Sequence, residues 1–494
     1  MQTRLIGSLI LLSIALAPMT ARAQRYQTIP VPTPVPQPQP STTPLPYPAY
    51  GTPAPDVQLL VPHPGIPTKV SLAQATDIAV AISPAFAAER SVYDAIRARY
   101  TEQQQMLFPA ISATGEWEKS YGGSNRSGFN ATGAGSTSSS IFTTESASYT
   151  VTQLIFDGGR VIAAIEAAKE SSLAGHGTLL RELDTLGYDV AQQYYTVLED
   201  QAIVNADATL VREFTVTEDE VRAEIRNGVA ALSDLASAEY NTAKARGSLI
   251  SAQGALIAAQ STFATDLGLD ADTEIVPQAL GPDTYTQTPT YAKSLAQGLL
   301  MRPDYLAAQY TVASDRANLR YAELARVPTI TGSWTQGVSR QFPATPITNS
   351  SGMVIGTTGG WTPANTLGAT ISIPIYDQGV LWYNVETAKY ALDEDNDALE
   401  ETRLTVESDV RSALAQLISA RAAFVQAQSE LSSAQVSMQA AQASYRVGVE
   451  TIVDVITAEA NLATAQSDYI TALYGVRLAE QTYLYATGMT DLHL

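Results

Sequence analysis

The side chains that most often catalyse reactions or bind metals are scarce in this chain. It has no cysteine, and its three histidines, His63, His176 and His493, are far apart. Their spacing fits no known set of metal ligands, and the absence of cysteine excludes thiolate sites, disulfides and cysteine nucleophiles. The sequence also lacks the G-x-S-x-G motif and a phosphate-binding loop. We therefore predict no catalytic residue, no cofactor and no metal site, which makes an enzyme the least favoured class.

Two short segments contain residues suited to capping a helix rather than to catalysis. They are VTQLIFDGGRV at residues 151–161 and SIPIYDQGVLW at residues 372–382. In each, an alternating apolar run ends in an aromatic residue, an Asp and then a Gly. Glycine adopts positive φ at a corner, and an Asp side chain accepts hydrogen bonds from the first free N–H groups of a helix. These segments predict two strand-to-helix corners with a structural role, formed by Asp157, Gly158, Gly159, Asp377 and Gly379.

The two corners belong to a sequence that is duplicated along most of the chain. Asp157 corresponds to Asp377 and Gly228 to Gly448, both at an offset of 220 residues. Further pairs keep this register within one residue: Pro84 with Pro303, Pro109 with Pro328, Asp234 with Asp454, and Gly268 with Gly488. Such a repeat indicates two similar structural units. We place them at residues 70–280 and 281–494.

Each half contains a pair of predicted strands, at about 109–157 and 328–377. Their residues alternate between an apolar and a small or polar face; one apolar face consists of Leu367, Ala369, Ile371, Ile373 and Ile375. A length of roughly 10 residues is that of a tilted strand in a membrane barrel. The segments that join the strands, residues 120–140 and 337–360, are rich in Gly, Ser, Thr and Asn and predict exposed loops.

The rest of each half is predicted to be helical. Residues 160–226 lack proline and carry an apolar stripe with a period near 3.5; at ~1.5 Å per residue they form a rod of roughly 100 Å. The helices on either side, residues 71–108 and 229–267, add up to slightly more than its length and could run alongside it end to end. The second half repeats this arrangement with helices at residues 291–327, 380–446 and 449–487. Each half is therefore a long rod with a two-piece partner.

The N-terminal region has two further segments. Residues 1–23 have Arg4, a short apolar core and Ala21-Arg22-Ala23, which predicts a secretory signal peptide. Residues 24–69 are rich in proline and predict an extended linker. The net charge of −20 argues against nucleic acid and anionic membrane surfaces as partners.

Four strands per chain cannot close into a barrel, so the barrel must be shared between chains. Two copies would give 8 strands, a barrel filled by side chains, and three would give 12, which leaves a channel. The small residues on the predicted lumen side, Ser112, Thr114, Gly368, Thr370 and Ser372, favour the wider barrel. A shared barrel that continues as a helical tube is a conduit.

The segments QLIFDGGR, RPDYLAA, LFPAISATGEW, RVPTITGSW and GVETIVDV, together with the tandem halves, closely resemble the TolC family of outer-membrane efflux and secretion channels. The resemblance covers roughly residues 70–490. It implies a mixed α and β membrane protein: a homotrimer with a twelve-stranded outer-membrane barrel, continued by a long α-helical coiled-coil barrel in the periplasm of a Gram-negative bacterium. Such a channel is a passive duct of a tripartite efflux pump or a type I secretion system, and it docks on an inner-membrane transporter through a periplasmic adaptor (membrane fusion protein).

The resemblance also implies a gate at the periplasmic tip. In the family, a Tyr and an Arg bond to a Thr-Asp pair on a neighbouring helix, and two Asp one turn apart ring the opening. Tyr445 matches the Tyr, Ser233-Asp234 the pair and Asp454 the first ring Asp, whereas Glu450 replaces the Arg and Thr457 the second Asp. The tip turns would contact the adaptor through Arg226, Gly228, Arg446 and Gly448.

Three Asp454 carboxylates around one axis would attract cations. The alternative for this residue and Asp234 is that both are solvated acids on a helix face. For the whole chain, the alternative is a periplasmic coiled-coil spacer or adhesin without a pore, which explains the helices but not four paired strands of bilayer length. The resemblance leaves drug, metal, protein and polysaccharide export open.

Overall fold

The structure is a computed structural model that describes residues 67–123, 139–228, 230–279, 289–342, 346–348, 351, 353–357 and 359–490. The predicted signal peptide, almost all of the Pro-rich linker and residues 124–138 of the first predicted loop lie outside these ranges. All described residues belong to one compact unit.

An order of two helices, two long strands and two longer helices occurs twice, with short additional strands that differ between the halves. The first half contains β1 (Lys69–Val70), α1 (Leu72–Ile82), α2 (Pro84–Gln105), β2 (Ala110–Gly123), β3 (Ser139–Phe156), α3 (Arg160–Arg226), α4 (Leu232–Asp266) and β4 (Val276–Pro277). The second contains α5 (Tyr291–Met301), α6 (Pro303–Leu324), β5 (Thr329–Phe342), β6 (Pro346–Thr348), β7 (Val354–Thr357), β8 (Thr362–Ser372), α7 (Val380–Arg446) and α8 (Ile452–Thr487). The predicted tandem organisation is confirmed.

The long helices α3 and α7 begin and end at the predicted residues and contain 67 residues each. At ~1.5 Å per residue each is about 100 Å long. Helix α4 packs along α3 and α8 along α7, and the other end of α3 contacts α2 and α6. The rod with a two-piece partner is thus present in both halves. Within the described ranges, no helix has both the length and the apolar character needed to cross a membrane.

The helices predicted at 71–108 and 291–327 are each broken in two, which corrects the sequence prediction. The breaks fall at Ser83 and Arg302, whose ψ angles of 121° and 122° are not helical. A proline follows each of them, and its ring disfavours the helical conformation of the residue before it. Because proline needs no N–H partner in the first turn, Pro84 and Pro303 then begin the next helix.

The four long strands form one antiparallel sheet in the order β2-β3-β5-β8. The register places Ile111 beside Val151, Val151 beside Trp334 and Trp334 beside Leu367, so one face carries large apolar side chains. The other face is polar, with hydroxyl pairs Thr114–Ser148 and Thr150–Thr335, both at 3.0 Å. In this order β2 and β8 are the edge strands, and each has one edge that pairs with no other described strand.

The strand ends differ from the prediction. The strands contain 14, 18, 14 and 11 residues rather than roughly 10. Strand β8 ends at Ser372, so Ile373 and Ile375 do not extend it, because Pro374 offers no N–H to a ladder. The second predicted loop also contains structure: β5 continues to Phe342, and β6 and β7 form an antiparallel pair.

A two-residue parallel pairing between β1 and β4 was not predicted. Lys69, which we assigned to the linker, lies beside Val276 in this pair. The buried Tyr194 of α3 supports it by donating a hydrogen bond to the carbonyl of Gln278 at 2.6 Å. Around this pair, apolar residues of α1, α3 and α4 form a core that includes Val70, Phe263 and Leu267. This core fixes the middle of the long rod to the start of the folded chain.

Candidate functional site

The two corners have the predicted hydrogen bonds. The carboxylate of Asp157 accepts from the N–H groups of Gly159 at 2.9 Å and Val161 at 2.6 Å. Asp377 accepts from Gly379 at 3.2 Å and from Leu381. Each Asp therefore satisfies two N–H groups where a strand becomes a helix. These side chains hold the chain direction and are not free for chemistry.

The backbone of the two corners differs at one position. Gly158 and Gly159 have φ angles of +73° and +89°, and Gly379 has +87°. Gln378, which corresponds to Gly158, is also left-handed at +63° and is the only described non-glycine residue with positive φ. Conformations of this kind favour glycine. The prediction identified the glycines but not the strained glutamine.

The tip turns lie at the ends of α3 and α7. Gly228 and Gly448 have φ angles of +75° and +78°, and their N–H groups donate to Ile225 and Tyr445, both at 2.9 Å. Both glycines are exposed, as are Arg226 and Arg446. Below the turns, residues of both halves share one apolar cluster that includes Val221, Met438 and Val455. The structure thus brings the four predicted docking residues to one end of the molecule.

Asp234 and Asp454 occupy equivalent positions in the first turns of α4 and α8. Asp234 accepts from the N–H of Ala231 at 3.2 Å and from the Ser233 hydroxyl at 3.3 Å. Asp454 accepts from the hydroxyl and the N–H of Thr451 at 2.7 and 2.9 Å. These two bonds lower the pKa of Asp454, so that its exposed carboxylate is ionised at neutral pH. Both acids cap the first turn of their helix at the tip.

The hydroxyl of Tyr445 does not bond to Ser233 or Asp234 within the chain. It donates instead to Glu224, in the last turn of α3. Burial, the bond to Glu224 and the nearby negative charges all raise the pKa of Tyr445, which keeps its proton available for this bond. The sequence analysis did not predict a role for Glu224. The partner of the Tyr445 hydroxyl depends on how the last turns of α3 and α7 pack against each other, and the sequence does not show this packing.

The two positions that depart from the family pattern add no cross-link. Glu450 is exposed and makes no hydrogen bond or ion pair with another described residue. The Thr457 hydroxyl donates to the carbonyl of Val453 in its own helix at 2.7 Å. Of the two positions that carry the ring Asp residues in the family, only position 454 is acidic in this chain.

A buried acid at the tip was also missed. Glu459 of α8 is 3% exposed and accepts from the Thr217 hydroxyl of α3 at 2.8 Å. Its second carboxylate oxygen is buried and has no hydrogen-bond partner among the described residues. Burial raises the pKa of Glu459, and Glu213 and Glu220 raise it further. The repeat located this residue, but the sequence carries no signal of its burial.

No group of three or more His, Cys, Asp or Glu in the described ranges could hold a metal ion. His176, the one histidine within those ranges, packs against the ring of Tyr93 at 5.5 Å between centroids. The candidate functional features of the described residues are the sheet edges, the two corners and the acidic tip.

Comparison with known proteins agrees with this geometry. The sequence profile of a family described as "outer membrane efflux protein" matches residues 76–269 and 295–488, one match in each half. The toluene efflux pump outer membrane protein TtgC and the antibiotic efflux pump outer membrane protein ArpC, both of Pseudomonas putida, are similar to this chain. Each is 27% identical over 390 residues, which are 79% of this chain and 76% of the relative.

Solved structures have the same fold. The CmeC outer membrane channel of Campylobacter jejuni superposes with a TM-score of 0.70 at 16% identity, over 86% of this chain and 87% of that one. The outer membrane protein VceC of Vibrio cholerae gives 0.67 at 16% identity, over 84% and 96%. The matched ranges include both corners and both tip turns.

Proposed function

Because this chain belongs to the outer membrane efflux protein family, we propose that three copies of it assemble into the exit duct of a tripartite efflux pump. The chain is an outer-membrane efflux protein of a Gram-negative bacterium, with its helical part in the periplasm. In the proposed duct, an inner-membrane transporter supplies the energy and a periplasmic adaptor connects it to the channel. The channel itself is passive and has no catalytic role.

The main support for a trimer is the four-stranded sheet, which has two unpaired edges. Open sheet edges are not tolerated in the hydrocarbon region of a membrane, because their N–H and C=O groups would lack partners. Strand β8 of one copy can pair with β2 of the next, and three copies give twelve strands with no free edge. A barrel of this size leaves a water-filled lumen.

The two faces of the sheet support this arrangement. Leu367 and Ile111 are 83% and 74% exposed in the single chain, and both lie on the apolar face. Lipid would cover this face in the assembled barrel. The polar face, with its paired Thr and Ser hydroxyls, would line the lumen. An adhesin or spacer in water would have no reason to expose large aliphatic side chains along one face.

The tip would form the gate and the contact with the adaptor. The long rods of three chains would enclose a tunnel, and Asp454 of each chain would approach its axis. The exposed turns at Gly228 and Gly448 are the part of the described chain farthest from the sheet along α3 and α7, which suits a contact with a periplasmic partner. A pump is favoured over a secretion system because the relatives TtgC and ArpC are named as efflux pump components.

Reconstitution tests this function. We expect purified mature protein to have the mass of a trimer by native mass spectrometry and to give stepwise conductance in planar bilayers. A monomer that never conducts would support the spacer or adhesin instead. Turnover of a substrate by the purified protein would contradict the passive role.

A further inference from the structure

A cavity of about 610 Å³ lies where the sheet meets the helices of the first half. Its floor is the first three turns of α3, and α2 and α6 form its walls. Helices α2, α3 and α6 are consecutive neighbours in the helical wall, because α3 contacts both of the others. All the residues that line the cavity belong to one chain.

The sheet indicates which side of the wall the cavity faces. Leu154 of β3 and Thr329 of β5 line it at the ends of their strands. Leu154 lies beside Thr331, on the same face as the Thr150–Thr335 hydroxyl pair. This is the polar face of the sheet. On the proposed function, on which this step rests, the cavity opens to the lumen of the duct.

Two arginines in the cavity form no ion pair with a described residue. Arg160, the first residue of α3, has its guanidinium 4.3 Å from the centre of the Tyr321 ring, and its buried Nε has no hydrogen-bond partner among the described residues. Arg99 of α2 is exposed and makes no hydrogen bond or ion pair with any described residue. Asp157 also lines the cavity; both its oxygens accept N–H groups of the corner, and it forms no ion pair with either arginine.

Arg320 of α6, by contrast, has an ion pair. It lies in the same helix as Tyr321 but outside the cavity, and its guanidinium bonds to Glu166 of α3 at 2.7 Å. The remaining lining includes the apolar side chains Ile96, Val161 and Leu154.

We propose that this cavity is a luminal binding site for amphipathic organic anions. The guanidinium groups of Arg160 and Arg99 bind the acidic group, since charged hydrogen bonds are the stronger kind. Ile96, Val161 and Leu154 contact the apolar part of the ligand. The site faces water, so binding is weak and reversible, and it would hold such substrates briefly on their way out.

The duplication provides the test. The residues that correspond to Arg160 and Arg99 in the second half are Val380 and Asn318, so the variants Arg160→Val and Arg99→Asn introduce side chains that the fold already accepts at equivalent positions. The matched control is Arg320→Gln, which removes an arginine from the same wall outside the cavity. All proteins are embedded as trimers in phosphatidylcholine nanodiscs, and binding to empty discs is subtracted.

The probes are anilinonaphthalene sulfonate, an anion, and phenylnaphthylamine, which has the same rings without the charge. We expect Arg160→Val to weaken binding of the anion about tenfold, the loss typical of a charged hydrogen bond. Arg99→Asn should weaken it less, and Arg320→Gln should leave it within about twofold. Binding of the neutral probe should not change in any variant.

Three results would overturn the proposal: no binding of the anion to the unchanged protein, equal binding by Arg160→Val, or equal loss of both probes. Single-channel conductance of the same samples separates this outcome from failure of the proposed function. A variant that conducts normally but no longer binds the anionic probe supports the proposed site. If the unchanged protein does not conduct, the proposed function as a duct is wrong.

Discussion

The two halves of the chain have nearly the same backbone and different side chains at equivalent places. Helices α3 and α7 both have 67 residues, and each follows an Asp-capped corner and ends in a turn with a left-handed glycine. At the tip, Glu239 is exposed and bonds to Arg222 at 3.3 Å, whereas its counterpart Glu459 is buried without a cation. The two halves therefore share the residues that begin and end the long helices. They differ at positions where a side chain faces the lumen or the other half.

The largest difference between the two halves is expected in how much a substitution at each corner changes the stability of the protein. Gly158 has φ +73°, and an added Cβ would lie 2.5 Å from Cγ1 of Val327. Gly158→Gln, which copies the second corner, should destabilise the protein by about 2–4 kcal/mol through backbone strain and overpacking. Gln378→Gly should change stability by less than about 1 kcal/mol, since it removes strain but adds freedom to the unfolded chain.

Thermal unfolding of the two corner variants, followed by helical circular dichroism in detergent, measures this difference. Equal effects at the two corners would mean that Val327 moves aside and that the corners are equivalent.

A second difference concerns pH. Burial raises the pKa of Glu459 above its unfolded value near 4.3, so the folded chain holds this proton more tightly than the unfolded one. Stability should therefore fall as the pH rises from about 4.3 through the raised pKa. Glu459→Gln should remove this part of the pH dependence and stabilise the protein at neutral pH by roughly 1 kcal/mol.

The control for this prediction is Glu239→Gln, which removes the exposed counterpart. Unfolding of both variants and of the unchanged protein is measured between pH 4 and pH 8. If the pH profile of Glu459→Gln parallels that of the unchanged protein, the pKa of Glu459 is the same in the folded and unfolded chains, and its carboxyl group is not buried.

A third difference is expected between the tip acids. Asp454→Asn keeps an acceptor for Thr451 but removes the charge proposed to face the axis, so block of the channel by divalent cations should weaken several-fold. Asp234→Asn makes the same change in the first half, where we expect a smaller effect. Planar-bilayer recordings measure both. If divalent cations block the Asp454→Asn channel as strongly as the unchanged one, Asp454 acts only as a helix cap.

The smallest effect is expected for the bond between Tyr445 and Glu224. The residue that corresponds to Tyr445 in the first half is Ile225, which makes no such bond. Tyr445→Phe removes the hydroxyl and should destabilise the closed tip by about 1 kcal/mol, which would be seen as more frequent openings. Glu224→Gln should act in the same direction. A closed-state lifetime that neither variant shortens would show that this bond does not hold the tip.

The sequence was sufficient to predict those helices whose two ends are marked by characteristic short motifs. Asp-Gly corners and Arg-x-Gly turns enclose α3 and α7, so their ends were predicted to the residue. The breaks at Pro84 and Pro303 were overlooked, although proline favours a helix boundary at that position. The β1–β4 pair joins two residues near 70 to two near 276 and has no local pattern. Glu224 and Glu459 became visible only when the rods were placed side by side.

The central claim is that the edge strands of three chains pair with one another. Strands β2 and β8 are separated by two strands in one sheet, which places them about 14 Å apart, too far for a disulfide within a chain. Since the chain has no cysteine, Thr114→Cys can be combined with Thr366→Cys, Gly368→Cys or Thr370→Cys, and oxidation followed in intact outer membranes. We expect at least one pair to give covalent dimers and trimers that reductant dissolves, whereas the single variants stay monomeric. If every pair remains monomeric in a correctly inserted protein, the barrel is not shared between chains.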